Sequence, residues 1–384
     1  MRTKRKNKLL RLAGIIVLMA LGGVAGYWGG YMGFKAASTM SGTEVLVTAL
    51  LMLPLFFVVI GVHEAGHALA GIAMKFDFRM YVVGPFLWDK ERTGWRFKWN
   101  KNVNTFGGLV ICIPSPVENL SKRFAAYAAG GPFASLLLAL LLYGAHQALE
   151  VFDDSAGWFT VLLSLLFIGS VFSGIIFLLT IIPFHSGGFS SDGARIWRLW
   201  RGGDAARFEV LLLNIISDSM AGTRPSQYNM LALEEAQTLA DKLDAPMSVY
   251  LQHYFYYHAL DTGDLKRAEE HLNNYLAQLD AIPEGVRGSV WIEAAFFYAW
   301  FKKEDVRATE YHQRYKPSAL IPRAIVLAAE ASIAALQHDH EKAGLLARHA
   351  LEEIPNMMDR GAGVFLKEQM LALVEPIVTH KINY

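Results

Sequence analysis

The chain has 384 residues, of which 53% are hydrophobic and 18% charged. Average usage is about a quarter charged, so a membrane protein is the first expectation. A net charge of +1 argues against a broad nucleic-acid-binding surface, and the single cysteine, Cys112, excludes an intrachain disulfide and a cysteine-based zinc cluster. Nearly all the long apolar runs lie in the first 190 residues, while the remainder is polar and helix-like. The expected fold class is mainly α: a polytopic helical membrane bundle with a small membrane-surface β-sheet, followed by a soluble α-helical-repeat domain.

The chain starts with five cations in MRTKRKNK, followed by an apolar run over 9–34 that is too long and Gly-rich for a cleaved signal peptide. A retained span with a cytoplasmic N-terminus is expected there. The second run, Val45–Met74, ends in Val62-His63-Glu64-Ala65-Gly66-His67. H-E-x-x-H on a helix sets two imidazoles on one face, within reach of one zinc ion, with the glutamate beside the open coordination position as a proton acceptor. The setting sharpens this reading. About 20 apolar residues cross a bilayer, and ionisable groups inside such a run are costly enough to imply function.

Loop 75–123 alternates aromatic and polar residues through Phe76, Phe78, Met80, Val82 and then Trp95, Phe97, Trp99, with turn signals at Gly84-Pro85 and Thr93-Gly94. That period of two predicts an antiparallel sheet at the membrane surface. It would either cap the bundle or lend an edge strand to an unwound substrate. Further spans are expected near 124–149 and 158–184. Nine cations between Lys75 and Arg123, and Arg195, Arg198 and Arg201 after the last span, contrast with one lysine in the two opposite loops. The positive-inside pattern then gives four crossings, both termini in the cytoplasm, and His63 and His67 near the cytoplasmic end of their span.

Gly130-Gly131-Pro132 and Ser135 fall in the first turns of the third span, where small residues let helices approach closely. The fourth span breaks at Pro183, Gly187 and Gly188, and Asp192-Gly193 follows. A zinc hydrolase needs a third protein ligand besides two histidines. Asp192 has the right chemistry and depth, and His185 is its rival. After a linker over 201–227, the region 228–384 reads as helical hairpins. Gly263-Asp264, Glu304-Asp305 and Asp339-His340 each start a helix after an aromatic- or Ala-rich one, at spacings close to the tetratricopeptide period. The run Tyr254–Tyr257 reads as core.

With His63-Glu64-x-x-His67, Ala129-Gly130-Gly131-Pro132 and Ser191-Asp192-Gly193 in place, the first 195 residues, nearly all of an expected membrane domain over 1–200, resemble the site-2 protease family of intramembrane zinc metalloproteases. The resemblance implies Zn2+ held by His63, His67 and Asp192, with Glu64 as general base and Gly131, Pro132 and Ser135 on the substrate-binding side. The family usually has an asparagine after the Gly-Pro and another before the Asp-Gly; Ser135 and Thr180 stand nearest those places here. The expected activity is a zinc metalloendopeptidase that cuts a membrane-protein or peptide substrate within or next to a membrane segment. Region 228–384 is expected to bind a cytoplasmic protein partner. The competing expectation is a catalytically inactive membrane scaffold acting through its helical repeats.

Overall fold

The computed structural model describes residues 40–382 except 102–104, 115–118, 153–156, 187–188, 283 and 319, together with Gly23, Tyr27, Tyr31 and Ser38. The span expected over 9–34 lies outside the described residues but for three single positions. Helix α1 (Gly42–Ala73) starts where Ser41 and Glu44 cap each other, the Ser41 amide donating to Glu44 Oε2 at 2.7 Å. Its 32 residues make about 48 Å of helix, longer than a hydrocarbon layer of about 30 Å. Its surface is inverted relative to a soluble helix. Leu46, Leu50, Leu53, Val58, Leu69 and Ile72 are exposed, whereas His63, Glu64 and His67 are buried. That arrangement suits lipid outside and a polar site inside.

Helices α2 (Leu120–Glu150) and α3 (Gly157–Ile181) are also long and apolar enough to cross a membrane, and both lie where spans were expected. The three helices pack on one another. Contact between α1 and α2 is closest at Gly66 and Gly130. A methyl at Gly66 would lie 2.5 Å from Ala134 Cβ, and one at Gly130 would lie 2.6 Å from Ala70 Cβ. Only glycine lets the two backbones meet there.

Between α1 and α2 the chain folds into a four-stranded antiparallel sheet: β1 (Asp77–Val83), β2 (Phe86–Glu91), β3 (Gly94–Trp99) and β4 (Leu109–Ile113), in the order β3-β2-β1-β4. The register sets Tyr81 beside Trp88 and Trp88 beside Phe97, with Phe86 beside Trp99, so one face is aromatic. Trp95, Phe97 and Trp99 are 46%, 48% and 62% exposed, too much apolar surface to leave to water. The opposite face buries Met80, Val82 and Leu87 against Leu320 and Met358 from the C-terminal half. The alternating motif anticipated β1 and β3. It missed β4, whose run of five apolar residues gives no alternation because the strand is covered on both faces.

After α3, a two-stranded ribbon of β5 (His185–Ser186) and β6 (Phe189–Ser190) leads into α4 (Asp192–Arg201). The segment read as a linker is instead largely helix α5 (Gly203–Ala221). Phe208, Leu212 and Ile215 recur there at helical spacing and are buried in the large C-terminal core. Val210 and Leu213, on another face, pack on the cluster of Phe124, Tyr127 and Leu199. A stretch apolar on two sides cannot stay extended in water.

The C-terminal half continues as α6 (Met230–Leu243), α7 (Val249–Asp261), α8 (Leu265–Ala277), α9 (Glu284–Trp300), α10 (Asp305–Arg314), α11 (Arg323–Leu336), α12 (His340–Glu353) and α13 (Arg360–Ile382). α7 packs on α8, α9 on α10, and α11 on α12. Before each second helix one residue takes a left-handed φ: Gly263 at 81°, Lys303 at 56° and His338 at 63°. Asp264 and Asp339 then cap α8 and α12, accepting from the amides of Arg267 and Lys342. Ala268, Ala308 and Ala343 are fully buried one turn on, where a larger side chain would separate the paired helices. Tyr254–Tyr257 are core, as read.

Candidate active site

The i, i+4 spacing in α1 places the His63 and His67 side chains together, their Nε2 atoms 3.3 Å apart. Oδ2 of Asp192, the first residue of α4, lies 3.3 Å from Nε2 of His67 and 3.6 Å from Nε2 of His63. Asp192 reaches that position because Ser191 ties the break together. Its hydroxyl donates to the Ile182 carbonyl at 2.8 Å and accepts from the amides of Phe184 and Ala194. A methyl at Gly193 would overlap the Ile181 carbonyl, so the Asp-Gly pair is needed for α4 to begin directly on the end of α3.

Each histidine is turned by a partner on α2. Nδ1 of His67 lies 3.0 Å from the Tyr127 carbonyl and 3.3 Å from the Gly131 amide nitrogen; with its proton given to the carbonyl, Nε2 is left bare. Ser135 Oγ lies 2.9 Å from Nδ1 of His63. With it accepting that proton, both Nε2 lone pairs point at each other and at the Asp192 carboxylate. The Ser135 carbonyl in turn accepts from Ser173 of α3 at 2.7 Å, so all three membrane helices contribute to the orientation.

Three acceptors facing one point repel unless a cation lies between them. A tetrahedral zinc ion with ligands at about 2.0–2.1 Å sets its donors about 3.3–3.4 Å apart, close to the three separations seen. His63, His67 and Asp192 are the group that could hold a metal among the described residues, and the donor set fits zinc.

Glu64 is buried next to His63 in α1, and the turn into β4 passes directly against it. Gly108, at φ 99°, leaves room that a methyl would fill to 2.8 Å from Glu64 Cδ. On the other side of α1 runs an apolar groove of about 430 Å³. One wall is Ala65, Ala68 and Ile72; the other is Phe78, Tyr81, Trp88 and Trp95 of the sheet. The Tyr81 hydroxyl donates to the Gly61 carbonyl at 2.5 Å and pins the sheet to the helix one turn before the site.

The structure thus brings His63, Glu64, His67 and Asp192 together. Gly131 and Ser135, expected with Pro132 on the substrate side, lie against the histidines. Ser135 is fully buried against His63, and a methyl at Gly131 would press on the His67 ring. The Thr180 hydroxyl donates back to the Ile176 carbonyl of its own helix at 2.9 Å. His185 lies in β5 with its backbone paired to Ser190, and its side chain is outside the described set. Tyr127, Ser173 and Gly108 were not anticipated. The Gly107-Gly108 pair before a short apolar run was the one available signal, for a backbone passing close to something.

Two of the arginines counted towards the cytoplasmic charge bias, Arg195 and Arg198, are paired with one buried carboxylate, Glu209. They therefore have a structural role in the fold.

A family model described as Peptidase family M50 matches residues 51–310, two thirds of the chain, from within α1 into α10. No curated protein and no solved structure matches the chain significantly. The matched span contains both histidines, Glu64, the Gly-Pro element and Asp192. The chain belongs to peptidase family M50, the site-2 protease family of membrane metallopeptidases.

Proposed function

We propose that this protein is an intramembrane zinc endopeptidase that cuts a membrane-protein substrate within or next to a transmembrane segment. The observation that carries the reading is the convergence of three acceptor atoms from His63, His67 and Asp192 beside buried Glu64, on a helix built to face lipid. Zinc, when bound, supplies a Lewis acid that polarises the scissile carbonyl. Glu64 takes the proton of the attacking water and later delivers it to the leaving amine. Tyr127 and Ser135 hold the two imidazoles in the tautomer that presents Nε2.

A peptide bond inside an intact helix is poorly open to attack, so the substrate unwinds. β4 is an edge strand of the sheet, and Gly108 just before it lies against Glu64, which suits this edge to pair with an extended segment. The protein sits in the cell membrane with both termini cytoplasmic. Its helical hairpins, read as tetratricopeptide-like, bind a cytoplasmic protein partner that governs which substrate is cut, or when.

The test compares membrane proteomes of cells carrying wild type and Glu64→Gln. The variant keeps the size and hydrogen bonding of the side chain but lacks the base. Zinc stays bound while cleavage falls by roughly 100-fold or more, and uncut substrates accumulate. An unchanged proteome with zinc bound would instead mean a non-catalytic scaffold.

A further inference from the structure

Glu209 lies on α5, outside the candidate active site, yet it is buried and its carboxylate is shared between two arginines of α4. Arg195 Nε donates to Oε1 at 2.9 Å and Arg198 Nε to Oε2 at 3.0 Å. Asp192 is the first residue of that ten-residue helix, so both arginines lie within two turns of it. The same arginines grip the other side of the break. Arg198 donates to Ser190 Oγ at 3.1 Å, and the Arg195 guanidinium lies 5.1 Å from the Phe124 ring centroid on α2.

α5 has little freedom of its own. Phe208, Leu212 and Ile215 are buried in the C-terminal core, and Val210 and Leu213 pack on the cluster of the membrane half. Ser217 donates to the Pro114 carbonyl after β4, and Ser219 Oγ donates to Asp359 Oδ1 at 2.7 Å. A carboxylate on such a helix is a fixed point. The arginines that bind it are as fixed, because each guanidinium is a planar fork and each is held by a charge-assisted bond.

We infer that Glu209 is a positioning residue for Asp192: it clamps α4 through Arg195 and Arg198, keeps the Asp192 carboxylate at the two histidines, and ties the metal site to the C-terminal helical body. This rests on the reading of His63, His67 and Asp192 as metal ligands. Without Glu209, the two partly buried guanidiniums on one short helix lose the carboxylate they share, and α4 swings away from the end of α3.

The experiment uses the full chain in detergent, as wild type, Glu209→Gln, Glu209→Ala and Glu209→Asp, with Glu269→Gln as a control in a second ionic cluster, whose partners Lys302, Arg307 and Tyr298 lie on neither α4 nor α5. Two quantities are read: amide hydrogen exchange over residues 193–201 in metal-free protein, and the affinity and visible spectrum of bound cobalt(II) alongside zinc affinity. Expected are faster exchange confined to 193–201, a zinc affinity 10–100-fold weaker and an altered cobalt spectrum in Glu209→Gln and Glu209→Ala. Glu209→Asp should restore part of each, and Glu269→Gln should leave the metal readouts at wild type. Wild-type exchange in α4 of Glu209→Ala would overturn the inference. So would a loss of protection spread evenly through the chain, which would make Glu209 a general stabiliser. If wild type binds neither metal, the ligand reading falls, and the exchange result alone decides whether Glu209 holds α4.

Discussion

Replacing Gly131 with alanine perturbs the proposed metal site by a single methyl. A Cβ built there would lie 2.7 Å from both Cδ2 and Cε1 of His67, with Nε2 closer still, and ordinary van der Waals contact begins at 3.4 Å. The imidazole must therefore withdraw by about 0.7 Å or more, whereas a metal site tolerates errors of about 0.2 Å in ligand distance. α2 cannot easily move instead, because Tyr127 of the same helix is bonded to Nδ1 of that ring and Ser135 is paired with His63. The expected result is a zinc affinity lower by about 100-fold or more, which is ~2.7 kcal/mol. Gly144→Ala is the control on the same helix, since a methyl there meets nothing within 4 Å. Competition titration with a chelator of known affinity, on purified full-length protein, measures both. Wild-type zinc affinity in Gly131→Ala would refute the placement of His67 as a ligand against α2.

Ser135→Ala removes the partner of His63 and should weaken zinc binding by about 10–100-fold, while Thr180→Ala, whose hydroxyl bonds only within its helix, should leave it unchanged; equal losses would contradict the assignment. In the C-terminal half, burial would lower the pKa of His253, but Glu293 and Asp359 overcome this and hold it up to about 10. A raised folded-state pKa stabilises fully below the unfolded value of about 6.5 and is lost as pH rises through 10. The thermal midpoint should thus fall between pH 6.5 and 10 in wild type and fall less in His253→Gln, and parallel curves would rule the pairing out. Single cysteines at Asn274 and Lys302, in a Cys112→Ala background, should react with an impermeant reagent only once the cytoplasmic side is opened. Labelling of intact cells from outside would reverse the proposed topology.

What could be read along the chain was what short-range geometry controls. The i, i+4 spacing of His63 and His67, the lengths of three apolar runs, the alternation in β1 and β3, and the helix starts at Leu265, Asp305 and His340 all depend on neighbours a few residues away. Asp192 could be inferred because its chemistry and depth left few rivals. Other features depend on which surfaces meet. The Tyr127 carbonyl and Ser135 Oγ behind the histidines follow from the Gly66–Gly130 crossing, which no local pattern encodes. Covered on both faces, β4 lacked the period that marks a strand. The supposed linker became α5 because its two apolar faces found two separate cores. Glu209 is an ordinary surface-type residue in the sequence. Only the packing of α4 on α5 buries it and makes one carboxylate the partner of two arginines beside the candidate metal site.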